Sequence, residues 1–168
     1  WDIVAAAAPI KVDSADIYIF LTVLSGFGKT VSIRTSLNDE AYLKDMAAFL
    51  ETIDLDKTKP VTENTGNTPV IPGNIGGATF GSMIYSPPAG WSHQQFQDGV
   101  VFKPLDLPAD EHLAIQIMQP LNFTGSLDQA LQQSFDEAAA MYNKKKMNYL
   151  GEGNYKKDKP YSGKFLTP

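Results

Sequence analysis

The sequence predicts an α+β fold, an antiparallel sheet with two helices packed on one face, built from two strand-strand-helix units. Three observations lead there. Residues 17–24 are rich in β-branched and aromatic side chains, and strict alternation follows over residues 30–35. Apolar residues recur every three or four positions over residues 43–53 and again over residues 127–142. Between them, residues 56–78 carry Pro, Gly, Asn and Thr with no apolar period.

Residues 17–24 and 30–35 flank Ser25-Gly26-Phe27-Gly28 and read as a hairpin with a Gly-rich turn. Val31 and Ile33 face inward there, and Thr30, Ser32 and Arg34 face out. Ser36 or Asn38 then caps a helix whose first turn holds Asp39 and Glu40, acids that the helix dipole favours. Leu43, Met46, Ala47, Leu50 and Ile53 form its buried stripe. This completes a first unit, residues 1–55. A structureless stretch as long as residues 56–78 is uncommon inside a compact domain, so it reads as a linker.

The second unit, residues 79–146, has strands near residues 79–85, 100–103 and 112–118, with turns at Pro87-Pro88-Ala89-Gly90 and Asp98-Gly99. Trp91 is expected to anchor the corner after the prolines and to be buried. Leu113, Ile115 and Ile117 alternate with Ala114, Gln116 and Met118, as in a half-covered antiparallel strand. Ser126 and Gln129 form a capping box. The second helix runs from there to about residue 145, burying Leu127, Leu131, Phe135, Ala138 and Tyr142, with Lys144, Lys145 and Lys146 in its last turn. Residues 147–168 are a basic, Tyr- and Lys-rich tail, strand-like only at residues 161–166.

With 168 residues, 43% hydrophobic and 20% charged, the chain can bury about 70% of its unfolded surface without staples. It has no Cys, which excludes disulfides, Cys-ligated metals and a thiol nucleophile. Fourteen Lys and Arg stand against nineteen Asp and Glu, a net charge of −5. The basic groups concentrate in the tail: residues 1–140 carry 7 basic and 17 acidic groups, residues 141–168 carry 7 and 2. An acidic body with one Arg, Arg34, disfavours nucleic acid as a partner and leaves only the tail to meet an anionic surface. No apolar run approaches the roughly 20 residues of a transmembrane helix. The chain starts at Trp1 without signal-peptide order, as a processed mature form would, and Cys-free composition suits an exported bacterial protein, periplasmic or secreted, as it also suits many cytosolic ones.

The chemical motifs are weak. Gly28-Lys29-Thr30 lacks the Gly that a phosphate loop needs five positions earlier, where Val23 stands, and a strand follows it. Gly73, Gly76, Gly77 and Gly81 lack dinucleotide-binding spacing. His93 and His112, near Asp98, Asp106, Asp110 and Glu111, show no metal-ligand spacing. Ser92-His93 has no nucleophile elbow, and neighbours on a strand point to opposite faces. Carboxylate pairs meet in space rather than in sequence, so a small hydrolase or carbohydrate-binding enzyme built on scattered carboxylates stays open. Asn122-Phe123-Thr124 is a glycosylation sequon. No catalytic, cofactor-binding or metal-ligating residue is assigned, and no cofactor is expected. The interaction candidates are Trp91 and the tail residues Tyr149, Tyr155, Lys156, Lys157 and Tyr161, suited to anionic partners.

Tyr85-Ser86-Pro87-Pro88-Ala89-Gly90-Trp91, the hairpin through Val100-Val101-Phe102, Leu113-Ala114-Ile115-Gln116-Ile117 and the helix from Ser126 resemble the opening half of a PsbP/Mog1-like domain. Residues 17–53, with Ala48-Phe49-Leu50, resemble its closing half, and together the halves cover about 100 residues. The resemblance implies an α+β sandwich of a kind that includes non-enzymatic adaptors, chaperones and assembly factors, and it carries over no catalytic residue. Here the closing half comes first. The chain is then an out-of-phase piece of a tandem array, a permuted domain, or a subunit completed by strand or half-domain exchange with other copies. The functional expectation is a non-enzymatic, exported interaction and assembly domain whose partners are proteins, copies of itself included.

Overall fold

The computed structural model describes residues 2–12, 14–55, 68–72, 78–120, 122, 124–141 and 151–156. It is an α+β fold in which every strand pairing is antiparallel. The predicted hairpin is β2 (Ala15–Gly26) and β3 (Lys29–Leu37). Its two turn residues, Phe27 and Gly28, both have positive φ, 53° and 74°, the type I′ geometry that matches the twist of a hairpin.

A strand absent from the sequence reading, β1 (Asp2–Val12), pairs with β2 from Asp2↔Ser25 to Val12↔Ala15. Its run Ala5-Ala6-Ala7-Ala8 has poor β-propensity, yet all four residues are buried because both faces of the strand are covered. A 3₁₀ turn at Glu40–Tyr42 leads into α1 (Leu43–Glu51). The cap is neither Ser36 nor Asn38: the Asp39 carboxylate accepts from the Ala41 N–H at 2.7 Å. Ser36 still belongs to β3. The Asn38 amide instead clasps residues 110–112, donating to the Asp110 carbonyl at 2.8 Å and accepting from the His112 N–H at 2.6 Å.

The strand expected over residues 79–85 folds back on itself as β6 (Ala78–Phe80) and β7 (Met83–Tyr85), turning at Gly81, where φ is 55°. With β4 (Asp54–Leu55) they form a small sheet in the order β4-β7-β6. The predicted linker contains β5 (Thr68–Pro72), paired with β8 (Trp91–Phe96). Its two prolines suit an edge strand and nothing more interior. β9 (Gly99–Pro104) and β10 (Leu113–Met118) follow, and β10 alternates buried and half-buried residues as expected. After α2 (Leu127–Met141), which opens with the predicted capping box, β11 (Gly151–Lys156) lies in the expected tail and pairs with β1. Residues 161–166, Tyr142 and Lys144 to Lys146 lie outside the described residues.

Strands from both predicted units join one eight-stranded sheet, β11-β1-β2-β3-β10-β9-β8-β5. The two helices do not share a face of it. Met46, Phe49 and Leu50 of α1 cluster with Phe20, Leu24, Val31 and Ile33. Leu131, Phe135 and Ala138 of α2 cluster with Ile19, Leu21 and Val23. These two sets alternate along β2, and consecutive strand residues point to opposite sides, so α1 and α2 cover opposite faces. The expected outward face of β3 is therefore covered in part: Thr30 and Arg34 are buried. On this side the Ser32 hydroxyl meets that of Ser134 on α2 at 2.7 Å.

Phe49 centres the α1-side core. Its ring lies 4.8 Å from Phe102, 6.1 Å from Trp91 and 6.4 Å from Tyr85 between centroids. Trp91 is 6% exposed, as its place after the Pro-Pro corner predicts. Phe49→Ala and Trp91→Ala should each lose about 3–5 kcal/mol, read as a lower denaturant midpoint. Gly28 and Gly99 should separate two kinds of cost. A Cβ on Gly28 meets nothing within 4 Å, so Gly28→Ala should lose only the backbone term, about 1 kcal/mol. A Cβ on Gly99 would lie 2.6 Å from the Ile117 carbonyl oxygen, so Gly99→Ala must move backbone and should lose more.

Candidate functional site

Where β3 begins and β10 ends, a cleft of about 260 Å³ opens between the sheet and α2. Thr30 and Ser32 reach it from β3, and Asp98 from the turn joining β8 to β9. Met118 and Gln119 close the β10 side, while Gln133, Ser134 and Glu137 line it from α2, above Ala130. Each wall is fixed locally. The capping box sets the start of α2, and the Ser134 hydroxyl bonds the Ala130 carbonyl at 3.0 Å as well as Ser32. The Gln119 N–H donates to the Asp98 carbonyl at 2.9 Å, tying the turn to the end of β10. Gln133 donates its amide to the Glu137 carboxylate at 3.0 Å. The cleft thus gathers hydroxyls, amides and two carboxylates, and among the described residues no Lys or Arg lines it.

A second polar cluster sits lower on the same face, where the Ser36 hydroxyl lies 2.7 Å from His112 Nε2. Such a contact suits a nucleophile and its base, but Ser36 is buried inside a strand ladder, 7% exposed, where no substrate reaches it. The adjacent Glu111 carboxylate accepts from the Tyr42 hydroxyl and does not orient the imidazole. Ser36, His112 and Asn38 act together as a clasp between the end of β3 and the start of β10.

His93 lies on the other face, stacked on Phe102 with ring centroids 6.1 Å apart. The two imidazoles are separated by the sheet and cannot share a ligand. Among the described residues no group of three or more His, Asp or Glu could hold a metal, and no helix is long and apolar enough to cross a membrane.

Among the interaction candidates, Trp91 belongs to the core and offers no surface contact. Tyr155 and Lys156 lie in β11, opposite Ile3 and Asp2. Tyr149, Lys157 and Tyr161, and with them most of the basic tail, fall outside the described residues. The cleft was missed because its walls lie far apart in sequence. Its one local signal is Ser134, a hydroxyl set within the apolar stripe of α2.

Beside the cleft, β8, β9 and β10 turn a face away from the α1-side core. The main partners of α2 are β2, β1 and β3, so this half of the sheet lies beyond its principal contact. Gln94 is exposed there, and Phe96, Val101, Ala114, Gln116 and Met118 are half-buried.

Burial holds the pKa of both imidazoles below the ordinary 6.5, and the Lys103 charge adds to the effect at His112. The unfolded chain therefore binds these protons first as pH falls. Their contribution is fully present above about pH 6.5 and is lost on acidification through the depressed folded values. The denaturant midpoint should drop between about pH 7.5 and pH 5.5, and the His93→Gln, His112→Gln double variant should show a smaller drop. Burial likewise pushes the Tyr85 hydroxyl up to about 12.

No family model, curated protein or solved structure matches the chain.

Proposed function

We propose that this chain is a non-enzymatic interaction and assembly domain, exported from the cell that makes it, which associates with copies of itself through the open half of its large sheet. The observation that carries the reading is charge depletion. On the β8-β9-β10 face described above, Lys103 is the one charged residue, in a chain that is 20% charged. Protein interfaces have cores depleted in charge and enriched in Met and aromatic residues, and Phe96, Val101 and Met118 give this face that composition. The resemblance to adaptor and assembly domains points the same way.

Association by this face needs no unfolding. Half-domain exchange would have to break the pairing of Ile33 through Leu37 with Ile117 through Leu113, together with the core it organises. Strand addition at the β5 edge is blunted by Pro69 and Pro72. A three-stranded face falls below the roughly 800 Å² per partner of a standard interface, so the self-association is weak and depends on concentration.

Light scattering across a dilution series up to about 1 mM tests it, since that range covers weak association. The mass should rise above the 18.4 kDa monomer as concentration increases. Val101→Lys, at a half-buried position on the face, should hold the protein monomeric with an unchanged melting temperature. Wild-type protein that stays monomeric at every concentration, or a Val101→Lys variant that associates like wild type, overturns the reading.

A further inference from the structure

We infer that the cleft between β3, the β8–β9 turn and α2 is a binding site for an amino sugar, a single hexose-sized ring bearing an ammonium group. The inference goes beyond the assembly reading and shares only Met118 with it. A volume of about 260 Å³ lies under the roughly 300–1,000 Å³ of drug-sized pockets, so it suits one ring better than an oligomer or a peptide. The lining combines groups that donate and accept, the hydroxyls of Thr30 and Ser32 and the amides of Gln119 and Gln133, which is what a ring carrying several hydroxyls needs. Met118 and Ala130 supply an apolar surface for its C–H face.

The charge selects the ammonium. Asp98 and Glu137 both line the cleft, and carboxylates only accept. Glu137 is held by the neutral amide of Gln133, and among the described residues no cationic side chain lines the cleft beside either acid. A primary ammonium offers three donors and one positive charge, and two carboxylates sharing a cleft with hydroxyls match it better than they match a neutral ring. Anions are repelled by the same pair. The absence of any three-ligand acidic or imidazole group among the described residues leaves a divalent metal without a coordination set.

The cleft is pre-built. Ser32 and Ser134 are already locked to each other at 2.7 Å, and the Asp98 turn is held to β10 through its backbone. Binding then has little ordering cost to overcome. Asp98 and Glu137 are both exposed, so their isosteric amides should leave the fold intact.

The test titrates the full chain with glucosamine, at a pH where its amine is protonated, and follows backbone amide shifts by NMR. Glucose, methylammonium and N-acetylglucosamine serve as comparisons. Saturable shifts at Ser32, Asp98, Gln119 and Ser134 are expected with glucosamine, with at least tenfold weaker binding of each comparison ligand. Asp98→Asn and Glu137→Gln should each weaken glucosamine binding about tenfold while leaving the thermal melt unchanged. Equal binding of glucose or N-acetylglucosamine would overturn the charge selection. Equal binding of methylammonium would overturn the ring recognition. Saturable shifts confined to other residues, or no saturation, would overturn the site. None of these outcomes depends on self-association, which Val101→Lys probes separately.

Discussion

The ladder between β3 and β10 is the contact on which the rest of the molecule depends. Five register pairs, from Ile33↔Ile117 to Leu37↔Leu113, are the join between the amino-terminal strands and the β8-β9-β10 group. The α1-side core is built around it, taking in Ile33, Leu37, Leu113, Ile115 and Ile117. Phe49, on the helix that follows β3, packs on Phe102 and Trp91, which belong to strands on the far side of the join. Without the ladder that aromatic cluster has no floor. The clasp of Asn38, Ser36 and His112 closes one end of it with hydrogen bonds of 2.6 to 2.8 Å. Because the paired residues lie far apart in sequence, the join must overcome loop-closure entropy before it brings any reward, which places it late in folding.

The same ladder explains which parts of the fold were legible. Elements whose neighbours are local read well: the β2–β3 hairpin from its Gly-rich turn, the capping box of α2 from Ser126 and Gln129, the burial of Trp91 from the Pro-Pro corner before it. What the sequence obscured was sidedness. A strand covered on both faces shows a near-continuous apolar run, and residues 17–24 are one, broken only by Thr22, whereas β10 alternates buried and half-buried residues. That contrast held the information that helices lie on both sides. Ser32 and Arg34 masked it, since polar residues on β3 read as solvent-facing when in fact α2 covers part of that side through Ser134. β1 was hidden for a related reason. Alanines fit a two-sided, closely packed strand, but taken alone they favour helix.

The candidate site was less legible than the fold, and the reason is geometric. Ser32, Asp98 and Ser134 belong to three elements that only the finished sheet brings together, so no spacing rule links them. The two histidines show the converse. Their sequence separation looked uninformative, and register places His93 with Phe102 on one face while His112 meets Ser36 on the other. A polar residue inside an apolar helical stripe, here Ser134, was the one local sign that α2 meets something polar.

The uneven covering of the sheet follows from side-chain size. β1 offers Val4, Ala6 and Ala8 to α2, which answers with Ala130 and Ala138, so backbone and helix can approach closely at that end. From β3 onward the same face turns to Arg34 and Ser36 and then to Gln116, Val101 and Gln94, longer or more polar groups that a short helix stripe of Leu131, Phe135 and Ala138 cannot seat. Among the described residues the helix therefore stops serving the sheet at β3, leaving a cleft at its margin and a half-buried face beyond it. Met118 stands where the two meet: it lines the cleft and flanks Gly99 on the face. Val101 belongs to the face alone, and Asp98 and Glu137 to the cleft alone, so the chemistry of each surface can be altered without touching the other, and only a change at Met118 reaches both.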